Sequence, residues 1–344
     1  TGSFDNMKSY MRGYALSISK TTGLITNWNP DANYIVETIE LNGTNAYIGG
    51  QFSQIGGQPR DYIAEVDLST GLATTWDPIA NGAVNCIKRI GTDVYVGGSF
   101  TTIGTQTRNH LAVLNNTTGA ALTWNPKPDG PVYGLLQAGS EVLVTGAFGF
   151  INSQNRSNIL AITKATGMIS NWNPNANGSV NTLKLNGTTM YVGGDFTNIG
   201  GQPRNRVAQI NVNTGLATTW NPNADATVNT IESYGNTVYL GGNFLTLGGI
   251  GRTYLGAVNN CNGSTTAWVP NANNPVRKLA ISDTVLYAAG NFTGMGSSTR
   301  NRLASFSLNT GILNSWNPDV DGTVNDIKIT GSSIYICGSF SQVS

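Results

Sequence analysis

Residues 180–220 read "VNTLKLNGTTMYVGGDFTNIGGQPRNRVAQINVNTGLATTW". Val180 to Leu185 alternate apolar and polar side chains, the period of a strand with one buried face. They run into Asn186-Gly187, which suits the tightest hairpin turns because both residues tolerate positive φ. "TMYVGGDF" then returns alongside. After the loop "TNIGGQPRN", "RVAQINV" predicts a third strand, Gly215 in "NTG" a tight turn, and "LATTW" a fourth strand. Pro222 ends it, having no N–H to give a ladder. The stretch predicts a four-stranded antiparallel meander.

The same words recur along the chain. "TNWNPDANYIVE", "TTWDPIANGAVN", "LTWNPKPDGPVY", "SNWNPNANGSVN", "TTWNPNADATVN", "TAWVPNANNPVR" and "NSWNPDVDGTVN" surround Trp28, Trp76, Trp124, Trp172, Trp220, Trp268 and Trp316, each 48 residues after the last. Such a fixed period overrides the two-domain expectation that 344 residues carry by size alone. A parallel β-helix needs a much shorter coil, and a helical solenoid needs a 3.6-residue periodicity that is missing here, whereas four-stranded units at this period stack radially into a propeller. The predicted fold is all-β: one seven-bladed β-propeller domain over 1–344, with blades near 34–81, 82–129, 130–177, 178–225, 226–273 and 274–321. "TGSF" at 1–4 aligns with "CGSF" at 337–340, so the seventh blade takes its inner two strands from 322–344 and its outer two from 1–33. This circularly permuted two-plus-two closure pairs edges otherwise left open. The short overlap, and a start at "TGSF" without an initiator methionine, predict a piece of a longer product.

Charged residues make up 11% and the net charge is +1, which is no footprint for nucleic acid or an anionic membrane surface. No run is long and apolar enough to predict membrane insertion. Cys86, Cys261 and Cys337 form neither a disulfide framework nor a metal knuckle, and are read as small buried hydrophobes. Abundant Asn, Thr, Ser and Gly with few charges is common in secreted bacterial β-proteins, so an extracellular or cell-surface location is expected.

The consensus, roughly "WNPnAnGtVntIklnGttvYvGGdFTnIGGqpRnrlA", resembles the delta-60 repeat, a β-propeller repeat of secreted bacterial proteins often catalogued as a domain of unknown function. The WNP triplets, the "VGGxFT" words such as Val192 to Thr197, and the arginine eight residues after each Phe carry the resemblance, which spans the entire chain. The "TGxxxxW" spacing is also similar to the quinoprotein-type repeat, in which the tryptophan docks between blades. The resemblance implies export and brings no enzymatic mechanism. Many such relatives carry a C-terminal sorting domain, and none is visible in this sequence.

A residue needed to pack one blade on the next should recur; one needed once for chemistry need not. By this rule the tryptophans, the turn glycines such as Gly215, and the phenylalanines Phe4, Phe52, Phe100, Phe148, Phe196, Phe244 and Phe292 are architecture. Arg12, Arg60, Arg108, Arg156, Arg204, Arg252 and Arg300 fit two roles, forking onto backbone carbonyls or onto a ligand carboxylate. Only seven of eleven arginines are periodic and no carboxylate ring accompanies them, which favours structure. The alternative is a multivalent lectin, with a sugar at each blade boundary held by the arginine and an aromatic ring.

Departures from the repeat mark candidate sites. The position after the leading valine of the channel-lining strand reads Glu37, Asn85, Tyr133, Asn181, Asn229, Arg277, Asn325. Glu37, Tyr133 and Arg277 break rank and are candidate ligand contacts, with neutral drift as the bland alternative. A second variable set follows the arginines: Tyr14, Tyr62, His110, Asn158, Arg206, Tyr254, Arg302. Tyr62, His110 and Tyr254 there suit a protein-binding face, or simply cover a blade edge. His110 is the only histidine, so no histidine-based triad or two-histidine metal site can be assembled. Asp129, Asp225, Asp319 and Asp321 follow WNP turns, where turn geometry accounts for them better than a carboxylate pair or a calcium loop. The expectation is a non-enzymatic binding or scaffold module, without metal or cofactor, recognising a protein or a glycan as a monomeric domain of a larger chain or complex. A polysaccharide-active enzyme is the third reading.

Overall fold

The computed structural model describes residues 10–343, so Phe4 and the "TGSF" stretch lie outside the described residues. Those residues are all-β and contain no helix. Seven three-stranded antiparallel sheets follow one another, each accompanied by a two-stranded ribbon. In the unit read first, Val180–Asn186 pairs with Thr189–Gly194, and Thr189–Gly194 with Val207–Asn211. The fourth segment adds through a single bridge, Ile210 to Ala217, flanked by bonds from Asn211 N to Leu216 O and from Thr218 N to Gln209 O. It leaves the ladder early because the Thr218 hydroxyl accepts the Trp220 N–H at 3.2 Å and turns the chain away before Pro222. The stretch expected as loop forms a ribbon of its own, Asn198–Ile199 against Gln202–Pro203, turned by Gly200 and Gly201 at φ 61° and 75°.

Inner strands pack on one another in chain order, and the last, Val324–Thr330, packs on Val36–Asn42 of the first. The two chain ends share one sheet: Ala15–Ser19 pairs with Ser333–Gly338, which pairs with Val324–Thr330. Tyr10–Met11 pairs with Gln342–Val343.

The core is divided into clusters, each spanning two adjacent sheets. Trp220, 1% exposed, lies with Tyr191 and Val207 of its own sheet and with Val228, Val238 and Val258 of the next. Its Nε1 donates to Asn259 O of that next sheet at 2.8 Å, and its ring centroid is 5.1 Å from that of Tyr191. Trp28, Trp76, Trp172 and Trp316 donate to the equivalent carbonyls of Asp67, Asn115, Asn211 and Ser19.

The second glycine of the "VGG" word answers to a specific approach. A Cβ on Gly194 would stand 2.1 Å from Ser179 O, and at Gly50, Gly98, Gly146, Gly242, Gly290 and Gly338 it would meet the corresponding carbonyl at 2.3 Å or less. The first position meets side chains instead and carries Thr145, Ala289 or Cys337 in three sheets. Cys86 and Cys337 are buried as expected, with burial pushing the Cys86 thiol up to about 12. Cys261 corrects the expectation: it is exposed, because "NNCNG" is the turn after the third strand.

In the WNP turns Asp31, Lys127, Asn175, Asn223 and Asn271 adopt left-handed φ near 50°, and so does Ile79, at 47° and 53% exposed. A β-branched residue there is strained, while asparagine tolerates it. Ile79→Asn is therefore expected to raise unfolding stability by about 1 kcal/mol, read from urea melts; a loss would mean that Ile79 packs more than its exposure implies.

Candidate functional site at the channel mouth

Each inner strand carries a β-bulge directly after its leading valine. Val36 pairs with Gly50 and Thr38 with Gly49, which leaves Glu37 unpaired. The same shift skips Asn85, Tyr133, Asn181, Asn229, Arg277 and Asn325. A bulge re-aims a side chain that simple alternation would send elsewhere. All seven line one axial cavity of about 520 Å³, completed by Asn243, Pro275 and Asn291. Glu37, Tyr133 and Arg277 thus share one site.

The asparagines of this ring stitch sheets together: Nδ2 of Asn85, Asn229 and Asn325 donates to Val132 O, Val276 O and Val36 O of the next sheet at 3.1–3.3 Å. The three that break rank do something else. Glu37 accepts from Gln51 Nε2 and Asn325 Nδ2, both at 2.9 Å. Arg277 Nε donates to Asn291 Oδ1 at 2.8 Å, while its terminal Nη groups have no acceptor among the described residues. Tyr133 stands 37% exposed on the rim, the one aromatic ring the cavity offers.

Beneath the ring, the next channel-facing positions form a charged belt around a cavity of about 360 Å³. Asp326 is buried; it accepts from Ile39 N at 3.2 Å and pairs with Lys278 Nζ at 3.1 Å and Lys328 Nζ at 3.9 Å. Glu40 pairs with Lys88 at 2.7 Å and Lys328 at 3.5 Å, and Lys184 with Glu232 at 2.5 Å. Desolvation works against the Asp326 carboxylate, but Lys278 and Lys328 outweigh it and hold the group below its ordinary range. The sequence analysis does not place this belt; its signal is a charged residue two or four positions after the leading valine, scattered over several repeats.

The aspartates after the WNP turns are structural acceptors. Asp225 Oδ1 takes the N–H groups of Leu245 and Thr246, and Asp321 Oδ1 those of Ser341 and Gln342. Asp129 does the same for Gly149 and Phe150, and Asn33, Asn81, Asn177 and Asn273 fill this role in the other sheets. Desolvation of Asp225 and Asp321 is overcome by these donors, so both carboxyls sit below the ordinary value. Asp319 accepts from Asn301 Nδ2 at 2.6 Å. Because folded values below the unfolded one stabilise above the ordinary carboxylate range, near pH 4, that stability is lost as pH falls through the folded values. The thermal midpoint is therefore expected to be flat from about pH 7 to 5 and to fall below about pH 4, with a shallower fall in Asp326→Asn. An identical acid slope in that variant would assign the effect to the turn aspartates.

The periodic arginines face inward to backbone. Arg60, Arg108, Arg204, Arg252 and Arg300 donate Nη1 to the preceding carbonyl and Nη2 to Thr74 O, Leu122 O, Thr218 O, Thr266 O and Asn314 O at 2.5–2.9 Å. Arg156 reaches Asn155 O at 3.1 Å. Each fork ties the ribbon to the outer segment two residues before the tryptophan.

Tyr62, His110 and Tyr254 do not enter the axial cavity. They lie one strand further out on the same face, since Tyr62 O accepts from Gly50 N, whose partner Val36 precedes the ring residue. With Tyr14, Asn158, Arg206 and Arg302 they share φ of 60–66°. All seven are half-buried over the sheet ends: Tyr62 and Tyr254 pack on core clusters, His110 Nδ1 lies 3.3 Å from Gly98 O, and Arg206 and Arg302 bond Asp195 O and Asn291 O.

Two tryptophans depart from the common seat. Trp268 donates to Gly311 O, not the Ser307 carbonyl, because Phe306 replaces the aliphatic residue found at this position elsewhere and stacks edge-on at 5.2 Å. A groove of about 820 Å³ opens beside it. Trp124, two residues after Leu122 where other repeats have a hydroxyl or amide, has no acceptor for Nε1 among the described residues and borders a groove of about 550 Å³.

Repeated antiparallel sheets arranged around an axial cavity define a β-propeller. A family model described as "Domain of unknown function (DUF5122) beta-propeller" matches residues 93–118 and 189–213, the same phase of two different repeats. The fold is shared with the WD40 β-propeller domain of Doa1, at TM-score 0.62 and 10% identity over 98% of each chain. A chain of the mitotic checkpoint complex aligns at TM-score 0.62 and 11% identity, over 99% of this chain and 96% of that one. The computationally designed Ika8 protein aligns at 0.55 and 13%, over 90% and 96%. No curated protein matches the sequence.

Proposed function

We propose that the chain is a seven-bladed propeller of delta-60 repeats that serves as a non-enzymatic extracellular or cell-surface binding module, one domain of a larger exported protein, with its ligand seated at the channel mouth. The observation that carries this reading is where the repeat is broken: Glu37, Tyr133 and Arg277 replace sheet-stitching asparagine and meet around a single cavity. Giving up a stabilising contact for an exposed, preorganised polar group is the usual exchange at a binding site. The match to a propeller family of unknown function on two repeats supports the repeat type. Glu40, Asp326, Asp225 and Asp321 are engaged with lysines or backbone N–H groups, and Glu37 stands as a single carboxylate in the channel-mouth cavity, which supports binding over turnover.

The test restores the consensus. A triple variant, Glu37→Asn with Tyr133→Asn and Arg277→Asn, is expected to melt at or above the wild-type temperature while losing the signals that the wild type gives on glycan and peptide arrays. Signals kept by the triple variant would remove the ligand from the channel mouth. Turnover of a polysaccharide, lost on substituting Glu37 or Asp326, would replace the reading with an enzyme.

A further inference from the structure

Resting on the channel mouth as a ligand seat, we propose that the ligand is a saccharide carrying a carboxylate, of the uronic acid class, with its carboxylate on Arg277 and its ring against Tyr133. The bond from Arg277 Nε to Asn291 fixes the guanidinium plane and leaves the Nη pair as an exposed fork. That fork matches the two oxygens of a carboxylate in both spacing and charge. Lys278 below is already paired with Asp326, so the fork is the positive group that the rim offers to an incoming anion.

The rest of the wall suits hydroxyl groups. The Nδ2 groups of Asn85, Asn229 and Asn325 bond neighbouring carbonyls, so these rim amides offer a sugar hydroxyl chiefly their Oδ1 acceptors, with Asn181 Nδ2 as a donor. Glu37, held by Gln51 and Asn325, adds the carboxylate acceptor that the blade boundaries lack. Only Tyr133 and Pro275 contribute substantial carbon surface, so the cavity has a flat aromatic face for a sugar ring and no apolar socket for a peptide anchor. Its volume of about 520 Å³ is that of a small-ligand site.

Calorimetric titration of the full chain with glucuronate and galacturonate, set against glucose, galactose and acetate, tests this. The uronates should bind more tightly than the neutral sugars and than acetate. Arg277→Gln should weaken uronate binding roughly ten- to hundredfold, and Arg277→Lys should keep part of it. Arg277 is exposed, and an unchanged melting temperature will certify each variant as folded; Tyr133→Ala should weaken acidic and neutral sugars alike. Equal affinity for glucose and glucuronate, an unaffected Arg277→Gln, or binding of carboxyl-terminated peptides in place of sugars would overturn the proposal. Array signals that the consensus-restored triple variant abolishes would, in those cases, keep the channel mouth as the seat with a different ligand; signals it keeps would end both readings.

Discussion

Trp220→Ala is expected to lower unfolding stability by about 3–5 kcal/mol, the range for a large aromatic side chain removed from a close-packed interior. The indole is 1% exposed, bonds the neighbouring sheet through Asn259 O, and packs on Tyr191. Removing it therefore takes away a contact between sheets as well as volume within one. Trp268→Ala should cost distinctly less, since Phe306 has already pushed that ring into a half-exposed position beside an 820 Å³ groove. Urea unfolding of the two variants decides the matter. Both rings bond the next sheet, so equal losses would mean that the fuller burial of Trp220 adds nothing, and a loss of ligand affinity at Trp220 without a loss of stability would turn the peg into a recognition surface.

Gly194→Ala is expected to be nearly as damaging, at the upper end of the ~1–3 kcal/mol typical of overpacking. Its new Cβ would lie 2.1 Å from Ser179 O, a backbone atom that cannot rotate out of the way. The neighbouring Gly193 should be more forgiving. Its Cβ would meet the side chains of Val228 and Thr182 at 2.7–2.8 Å, and other repeats accept Thr145, Ala289 or Cys337 at that position. The contrast is a test of the strand crossing where Val180 pairs with Gly194 and Ser179 O lies against it. If the two alanine variants melt together, the close approach is relieved by backbone movement and the axial ring is less rigid than its geometry implies.

The repeat and its strands were legible because each rests on local chemistry: alternation from Val180 to Leu185, the Asn186-Gly187 turn, and the stop at Pro222. The ring of Glu37, Tyr133 and Arg277 was legible for a different reason, namely that a strict 48-residue register turns any single departure into a visible event. The bulge that aims those residues inward was not, since a one-residue shift in pairing leaves no mark in composition. The second glycine of every "VGG" word was its trace. Cys261 departs from the burial expected of a free cysteine because the surrounding "NNCNG" forms an exposed turn. The belt of Glu40, Lys88, Lys328, Asp326 and Lys278 escaped notice because its pairs join different repeats, and no pattern within one repeat announces them.

The sheet shared by the two chain ends has a consequence for biosynthesis. Ala15–Ser19 leaves the ribosome well before its partner Ser333–Gly338, with the other three-stranded sheets all made in between. Sheets in between pair locally and can form as they appear, while the early strand waits with its hydrogen-bonding edge uncovered, a template for aggregation. Ring closure therefore cannot precede the synthesis of Ser333–Gly338, and until then the edge of Ala15–Ser19 is the exposed liability of the fold.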